Sequence, residues 1–416
     1  MNEKPIEWFE NTHKDSARGA AVAAELFPQD LPRKIRQFHR QIPGYRMSPL
    51  KGLTNLADKL GLGGIWVKDE SARLNLSSFK VLGGSYAIYR LLKRRLGLED
   101  QELSFEELTR GPLREKLGDI TFAAATDGNH GRGIAWSASQ MGFNSVIYVH
   151  KLTSQARIRA IESNGAKVVI VDGNYDDAVR QVYQDAQRNG WEVVSDTAWE
   201  GYEDIPRWVM QGYTTMLSEA QEQFAAQGLS RPTHILVQAG VGSLAAATVG
   251  FYYSMFGEER PKSIVVEPTR AACLYRSALA GDGEPHIVEG SLDTIMAGLA
   301  CGEPNPIAWE LLKDCADYFA VCPDYVAAKG MRVYGVPLRG DPVVISGESG
   351  AVTLGALMYI KQYAGARELC EKLGLGPDSH VLLINSEGNT SPDDFRYVVW
   401  EGGIPVPEEY RLRSSW

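Results

Sequence analysis

Short apolar runs rich in β-branched residues alternate with helix-length periodic segments along most of the chain. That alternation is what most constrains the fold. The runs 64–70 (GIWVKDE), 120–126 (ITFAAAT), 144–150 (NSVIYVH), 166–172 (AKVVIVD), 191–196 (WEVVSD), 234–240 (HILVQAG), 262–268 (KSIVVEP) and 380–386 (HVLLINS) read as strands. Helices are predicted near 80–96, 129–141, 153–164, 176–189, 206–227, 243–256 and 349–364. Most of the strand runs are continuously apolar, as expected of strands covered on both faces in a parallel sheet. Strands in that sequence with helices imply βαβ units and open, doubly wound sheets. Residues 100–195 hold a compact set of such repeats, whereas the glycine-rich turns 239–243 (AGVGS) and 346–351 (SGESGA) fall outside it. The expectation is an α/β chain of two doubly wound open-sheet domains, the smaller (100–195) inserted in the larger (1–99 and 196–416). Its 416 residues suffice for two domains of ordinary size.

Composition narrows the function. A net charge of −9 argues against a nucleic-acid partner, which would meet a basic face. The N-terminus (MNEKPIEWFENTHKD) has no apolar signal core, and the most apolar long stretch, 243–257, is too short to span a bilayer and is rich in small residues. No membrane role is expected. The five cysteines have an odd count and no CxxC spacing, so neither a zinc site nor a secreted disulfide framework is expected, and the chain reads as cytoplasmic. The sequence leaves a Cys273–Cys301 bridge open.

In doubly wound folds ligands sit beyond the carboxyl ends of strands. Asp127, Asn129, Asp196, Gly240–Ser243 and Ser386 all follow strand runs. The turn of Gly240, Val241, Gly242 and Ser243 leads into a small-residue helix, where free backbone N–H groups and positive potential suit a phosphate; a strand-to-helix turn would need glycine in any case. Asp127 and Asn129 are good helix N-caps, although the Asn129 amide would also suit a phenolate-like oxygen. His130 reads as a packed core histidine. Asp196 is either a turn residue or a carboxylate in the cleft, and Ser386 either caps a strand or bonds a ring nitrogen. Lys80 stands between Phe79 and Val81 at the start of an apolar helix. Alone it would be a lysine with its stem buried and its head in water. With a phosphate cup and partners for an aromatic oxygen and a ring nitrogen, it is instead a desolvated, nucleophilic amine. The set describes a site for pyridoxal 5′-phosphate with Lys80 as the Schiff-base lysine.

The motifs SxFK (77–80), DGNHGRG (127–133), AGVGS (239–243), SGESGA (346–351) and SEG (386–388) resemble the fold-type II pyridoxal-phosphate enzymes over nearly the whole chain. Within that group the longer stretches 126–136 (TDGNHGRGIAW), 195–206 (SDTAWEGYEDIP), 295–306 (IMAGLACGEPNP) and 345–352 (ISGESGAV) resemble the diaminopropionate ammonia-lyase family. The resemblance implies that Lys80 holds the cofactor, Asn129 meets the ring hydroxyl oxygen, Gly240 to Ser243 surround the phosphate and Ser386 faces the pyridine nitrogen. It implies a small amino acid as substrate, a homodimer, and two acid/base carboxylates, Asp127 for D- and Asp196 for L-2,3-diaminopropionate. Glu348 lies in a matching motif without an assigned role. A carboxylate at 127 departs from the small residue or serine usual in the wider group, and Ser48-Pro49-Leu50 stands for the more usual Thr-Pro-Leu. The alternatives are a serine or threonine dehydratase on the same scaffold and a pyridoxal-phosphate-binding protein without chemistry. A nucleotide site would leave Lys80 unexplained.

Overall fold

A computed structural model describes residues 3–126, 128–151, 153–173 and 175–412, without the side chains of residues 175 and 176. Asp127 lies outside the described residues. Eleven strands are present among these: β1 (Glu7–Glu10), β2 (Leu50–Gly52), β3 (Gly64–Asp69), β4 (Thr121–Ala125), β5 (Asn144–His150), β6 (Lys167–Val171), β7 (Glu192–Val193), β8 (His234–Gln238), β9 (Lys262–Pro268), β10 (Tyr318–Cys322) and β11 (His380–Asn385). The helices that bear on the site are α1 (Lys80–Leu96), α2 (Asn129–Gln140), α3 (Asp204–Gly212), α4 (Ser243–Phe256) and α5 (Glu348–Gln362).

Packing divides the chain into two compact units, one of Met1–Gln29, Met47–Ala72 and Met216–Trp416, the other of Asp30–Arg46 and Arg73–Thr215. The sequence bounds 100–195 mark the strand repeats of the second unit. They leave out α1 and α3, which pack against each other at glycines: a Cβ on Gly83 would lie 2.8 Å from the Val209 carbonyl, and one on Gly212 would lie 2.4 Å from that of Leu82. α2 approaches α1 as closely, since a Cβ on Gly133 would stand 3.0 Å from the Val81 Cα.

The first unit carries a seven-stranded sheet in the order β1-β10-β9-β8-β11-β3-β2. Its inner five strands are parallel and the two edges antiparallel. Leu382 of β11 lies opposite both Trp66 of β3 and Ile235 of β8. From β8 the chain moves outward through β9 to β10 and later returns to place β11 on the other side of β8, so the strand order reverses between β8 and β11. The second unit has a four-stranded parallel sheet, β6-β5-β4-β7. Its order reverses between β4 and β7. Such reversals open a crevice at the carboxyl ends of the flanking strands. Apart from Lys80, the residues singled out from sequence follow β4, β7, β8 and β11, the four strands that flank the two reversals.

β1, β2 and β10 were not foreseen. β10 (YFAVC) is wholly buried and parallel to β9, and its entrance is fixed by a buried ion pair. Burial pushes the Asp317 carboxyl up, but the Arg260 guanidinium, bound at 2.6 and 2.9 Å, and the Lys14 ammonium at 2.7 Å overcome it and hold the carboxyl at about 2. A carboxyl with a folded pKa below its unfolded value near 3.9 stabilises the fold above that value, and the contribution is lost as pH falls from about 4 to 2. Asp317→Asn is expected to cost about 3 kcal/mol at neutral pH and to flatten the loss of thermal stability below pH 4. Melting curves between pH 3 and 7 check this; parallel curves for the two proteins would show that Asp317 is not the group responsible. No helix among the described residues is long and apolar enough to cross a membrane, and no disulfide links the five cysteines, Cys273 and Cys301 included.

Candidate active site

The chain reaches Lys80 through a strained approach. Leu74, Asn75 and Ser77 have φ of 49°, 60° and 55°, a backbone region that costs a non-glycine residue about 1–2 kcal/mol. Strain of this kind collects at functional sites, where the surroundings hold it. It turns the chain sharply so that Lys80 becomes the first residue of α1. The amine lies 5.7 Å from the centroid of the Phe79 ring, which itself packs edge-on against Tyr213. Its Nζ donates to Asp196 Oδ2 at 2.5 Å.

Asp196 follows β7 and is buried. Burial pushes its carboxyl up, but the Lys80 ammonium and then His130 outweigh that and hold it well below the usual carboxylate range. His130 opens α2 beside Asn129, and its Nδ1 lies 3.9 Å from Asp196 Oδ2. Its Nε2 is 2.8 Å from the Val194 carbonyl; a carbonyl only accepts, so Nε2 carries the hydrogen. His130 is the packed residue expected from sequence and also a neighbour of the site carboxylate. Asn129 is half-buried on the first turn of the same helix. The second unit thus brings Lys80, Asp196 and His130 together.

The first unit supplies the other candidates. Gly242, with φ of 101°, makes the left-handed turn into α4, whose first N–H groups have no partner within the helix. Asn305 is fully buried and fixes this loop: its backbone N–H donates to the Val241 carbonyl at 2.7 Å and its side-chain amide to Ser243 Oγ at 3.0 Å. Its own Oδ1 caps the helix that starts at Pro306. Beneath the loop, the Cys273 thiol lies 3.6 Å from the Gly240 carbonyl. Glu267, at the end of β9, accepts the N–H groups of Leu274 and Tyr275 at 2.9 and 2.6 Å, while burial pushes its carboxyl up to about 8.

Ser386 follows β11 and is buried. Gln238, the last residue of β8, donates its amide to Ser386 Oγ at 2.8 Å and to the Ile384 carbonyl at 3.0 Å. With its acceptor side engaged, the serine proton is directed elsewhere. A Cβ on Gly350 would stand 2.5 Å from Asn385 Oδ1 and 3.1 Å from the Ser386 nitrogen, which is why SGESGA needs that glycine. Glu348 is buried at the start of α5, and Glu387 Oε1 accepts from the Ser349 N–H at 3.3 Å.

Each unit's groups suit part of pyridoxal 5′-phosphate: in the second, an amine in partly apolar surroundings; in the first, a helix N-terminus behind a glycine turn for an anion and a hydroxyl whose proton suits an unprotonated ring nitrogen. Gln238, Asn305 and Glu267 escaped sequence reasoning. For Asn305 a signal existed, since Asn-Pro is an N-cap followed by a first-turn proline.

Residues 42–387 match the family model described as pyridoxal-phosphate dependent enzyme. The chain is 51% identical to the diaminopropionate ammonia-lyase of Escherichia coli over 91% of this chain and 93% of that one. It is 46% identical to the enzyme of the same name from Salmonella typhimurium, over 95% and 97%. A crystal structure of the Escherichia coli enzyme in complex with D-serine superposes with a TM-score of 0.89 at 47% identity, covering 97% of this chain and 98% of the other.

Proposed function

The chain belongs to the diaminopropionate ammonia-lyase family of pyridoxal-phosphate dependent enzymes, and from that premise we propose that it is a carbon–nitrogen lyase converting D- and L-2,3-diaminopropionate to pyruvate and two ammonia. The observation that carries this reading is the Lys80 amine held 2.5 Å from the buried Asp196 carboxylate. When bound, pyridoxal 5′-phosphate supplies the sink for the electron pair left on Cα once its proton departs. Lys80 would hold it, with Gly240, Val241, Gly242 and Ser243 around the phosphate, Asn129 toward the ring hydroxyl oxygen and Ser386 toward the pyridine nitrogen.

The chain's own groups account for the rest. Asp196 takes the Cα proton of the L-isomer and Asp127 that of the D-isomer. Ser386 would offer a hydrogen bond to the ring nitrogen without protonating it, which would favour prompt loss of the β-amine over side reactions. That amine must leave as neutral ammonia, so it needs an extra proton beforehand; a nearby carboxylate favours the ammonium form. The three-carbon enamine that is released tautomerises and takes up water, giving pyruvate and the second ammonia. The working unit is a cytoplasmic homodimer, a reading supported by the family resemblance and, for the compartment, by five cysteines with no CxxC spacing.

The test is product stoichiometry with each isomer of diaminopropionate and the cofactor-loaded protein. Two ammonia per pyruvate is expected from both. Turnover of serine or threonine alone, with one ammonia per oxo acid, would move the assignment to a dehydratase. A coloured protein inert toward all of them would mean a carrier without chemistry.

A further inference from the structure

A general base works only if its carboxylate is held within a fraction of an ångström of the proton it takes. Asp196 stands on backbone that the sheet hardly supports. β7 pairs with β4 only through Glu192 and Val193, and the last ladder bond is Val194 N–H to the Ala123 carbonyl at 2.8 Å. Buried backbone groups beyond that point need other partners. One side chain provides two of them. The Tyr202 hydroxyl donates to the Val193 carbonyl at 2.8 Å and accepts from the Ser195 N–H at 2.9 Å.

A phenol has one proton to give and lone pairs to receive, so a single oxygen bridges the backbone on both sides of Val194 and fixes the direction in which the chain leaves toward Asp196. The tyrosine is itself locked. Its ring stacks on Trp199 with centroids 4.1 Å apart and planes at 9°, its N–H donates to the Trp199 carbonyl at 2.8 Å, and Tyr183 closes edge-on against Trp199. Burial pushes the phenol far above its ordinary pKa, so it stays a neutral donor throughout the working range.

We propose that Tyr202 is the positioning residue for Asp196: by clamping Val193 and Ser195 it sets the carboxylate's aim, and thereby the turnover of one substrate enantiomer, without touching substrate. This rests on the reading that Asp196 serves the L-isomer and Asp127 the D-isomer. A clamp that merely staples the fold would weaken both activities together; a clamp on Asp196 weakens one.

The experiment compares wild type, Tyr202→Phe and Asp196→Asn as holoenzymes, with kcat and KM for each isomer and amide hydrogen exchange of the cofactor-free proteins. For Tyr202→Phe, kcat on the L-isomer is expected to fall about tenfold, with its KM and both D-isomer constants within about twofold. Exchange across 193–197 should quicken, because the Ser195 N–H loses its acceptor. Equal falls on both isomers, or no change in the L-to-D ratio, would overturn the proposal. If Asp196→Asn leaves that ratio unmoved, the assignment of Asp196 fails; if it moves the ratio and Tyr202→Phe does not, only the clamp fails. The ratio is independent of how much protein is folded. Should Tyr202→Phe not fold at all, Trp199→Leu loosens the same ring and must shift the ratio the same way; an unchanged ratio there overturns the clamp.

Discussion

Lys80→Ala is expected to lower turnover of both diaminopropionate isomers by about three orders of magnitude or more and to remove the visible absorption of the covalently held cofactor. No other lysine lies within residues 70–90, and no alanine can replace an amine nucleophile. The same substitution takes away the ammonium that Asp196 faces at 2.5 Å. Burial then acts on that carboxyl with less opposition, and its pKa rises. In the wild-type protein the depressed Asp196 pKa contributes stability above the unfolded value near 3.9, lost as pH falls through the folded one; in Lys80→Ala that contribution shrinks. Lys80→Arg separates the two roles. Arginine keeps the positive charge beside Asp196 but is no nucleophile, so it should recover stability and none of the turnover. Pyruvate formation, cofactor absorbance and melting temperature read the three effects, and an active arginine variant would remove Lys80 from its place at the centre of the site.

The helix that carries this lysine was legible to the residue: 80–96 was expected and Lys80–Leu96 is found. Its signals were local, an apolar periodicity and a polar turn before it. β5 and β9 were equally plain as continuous β-branched runs ending at turns. β10 was missed because a five-residue apolar run between a helix and a proline has no period of its own to separate strand from buried helix. The single helix expected over 206–227 is two, Asp204–Gly212 and Thr214–Ala225, and the break falls where Gly212 presses on the Leu82 carbonyl, a tertiary contact invisible in sequence. The run 191–196 shrinks to a two-residue strand for a related reason. Apart from the Val194 N–H, the backbone from the Val193 carbonyl to the Ser195 N–H is held by Tyr202 and His130 rather than by a ladder, and nothing in a lone loop tyrosine announces which carbonyl it will bind. The strand ends at which site candidates were sought were legible because the rule that places them is topological; the contacts of Tyr202 and Gln238 were not, because their partners lie elsewhere in the chain.

Asp196→Asn should separate the enantiomers. Turnover of L-2,3-diaminopropionate is expected to fall about a hundredfold or more, while the D-isomer keeps its rate within a few-fold. The variant preserves shape and an oxygen for the Lys80 amine but cannot take a proton. The alternative is that Asp196 serves mainly to hold Lys80, for which its 2.5 Å contact is a direct argument; both isomers would then slow alike. A second argument runs the other way. A carboxylate kept only as a counter-charge needs no more than proximity to the amine, whereas Asp196 is buried, flanked by His130 at 3.9 Å and mounted on backbone that two side chains immobilise. Such placement fixes a direction as well as a charge, and direction is what the removal of a proton from one face of a planar centre requires. Parallel kcat values for the two isomers decide between these uses, since losing a base that serves one face spares turnover at the other.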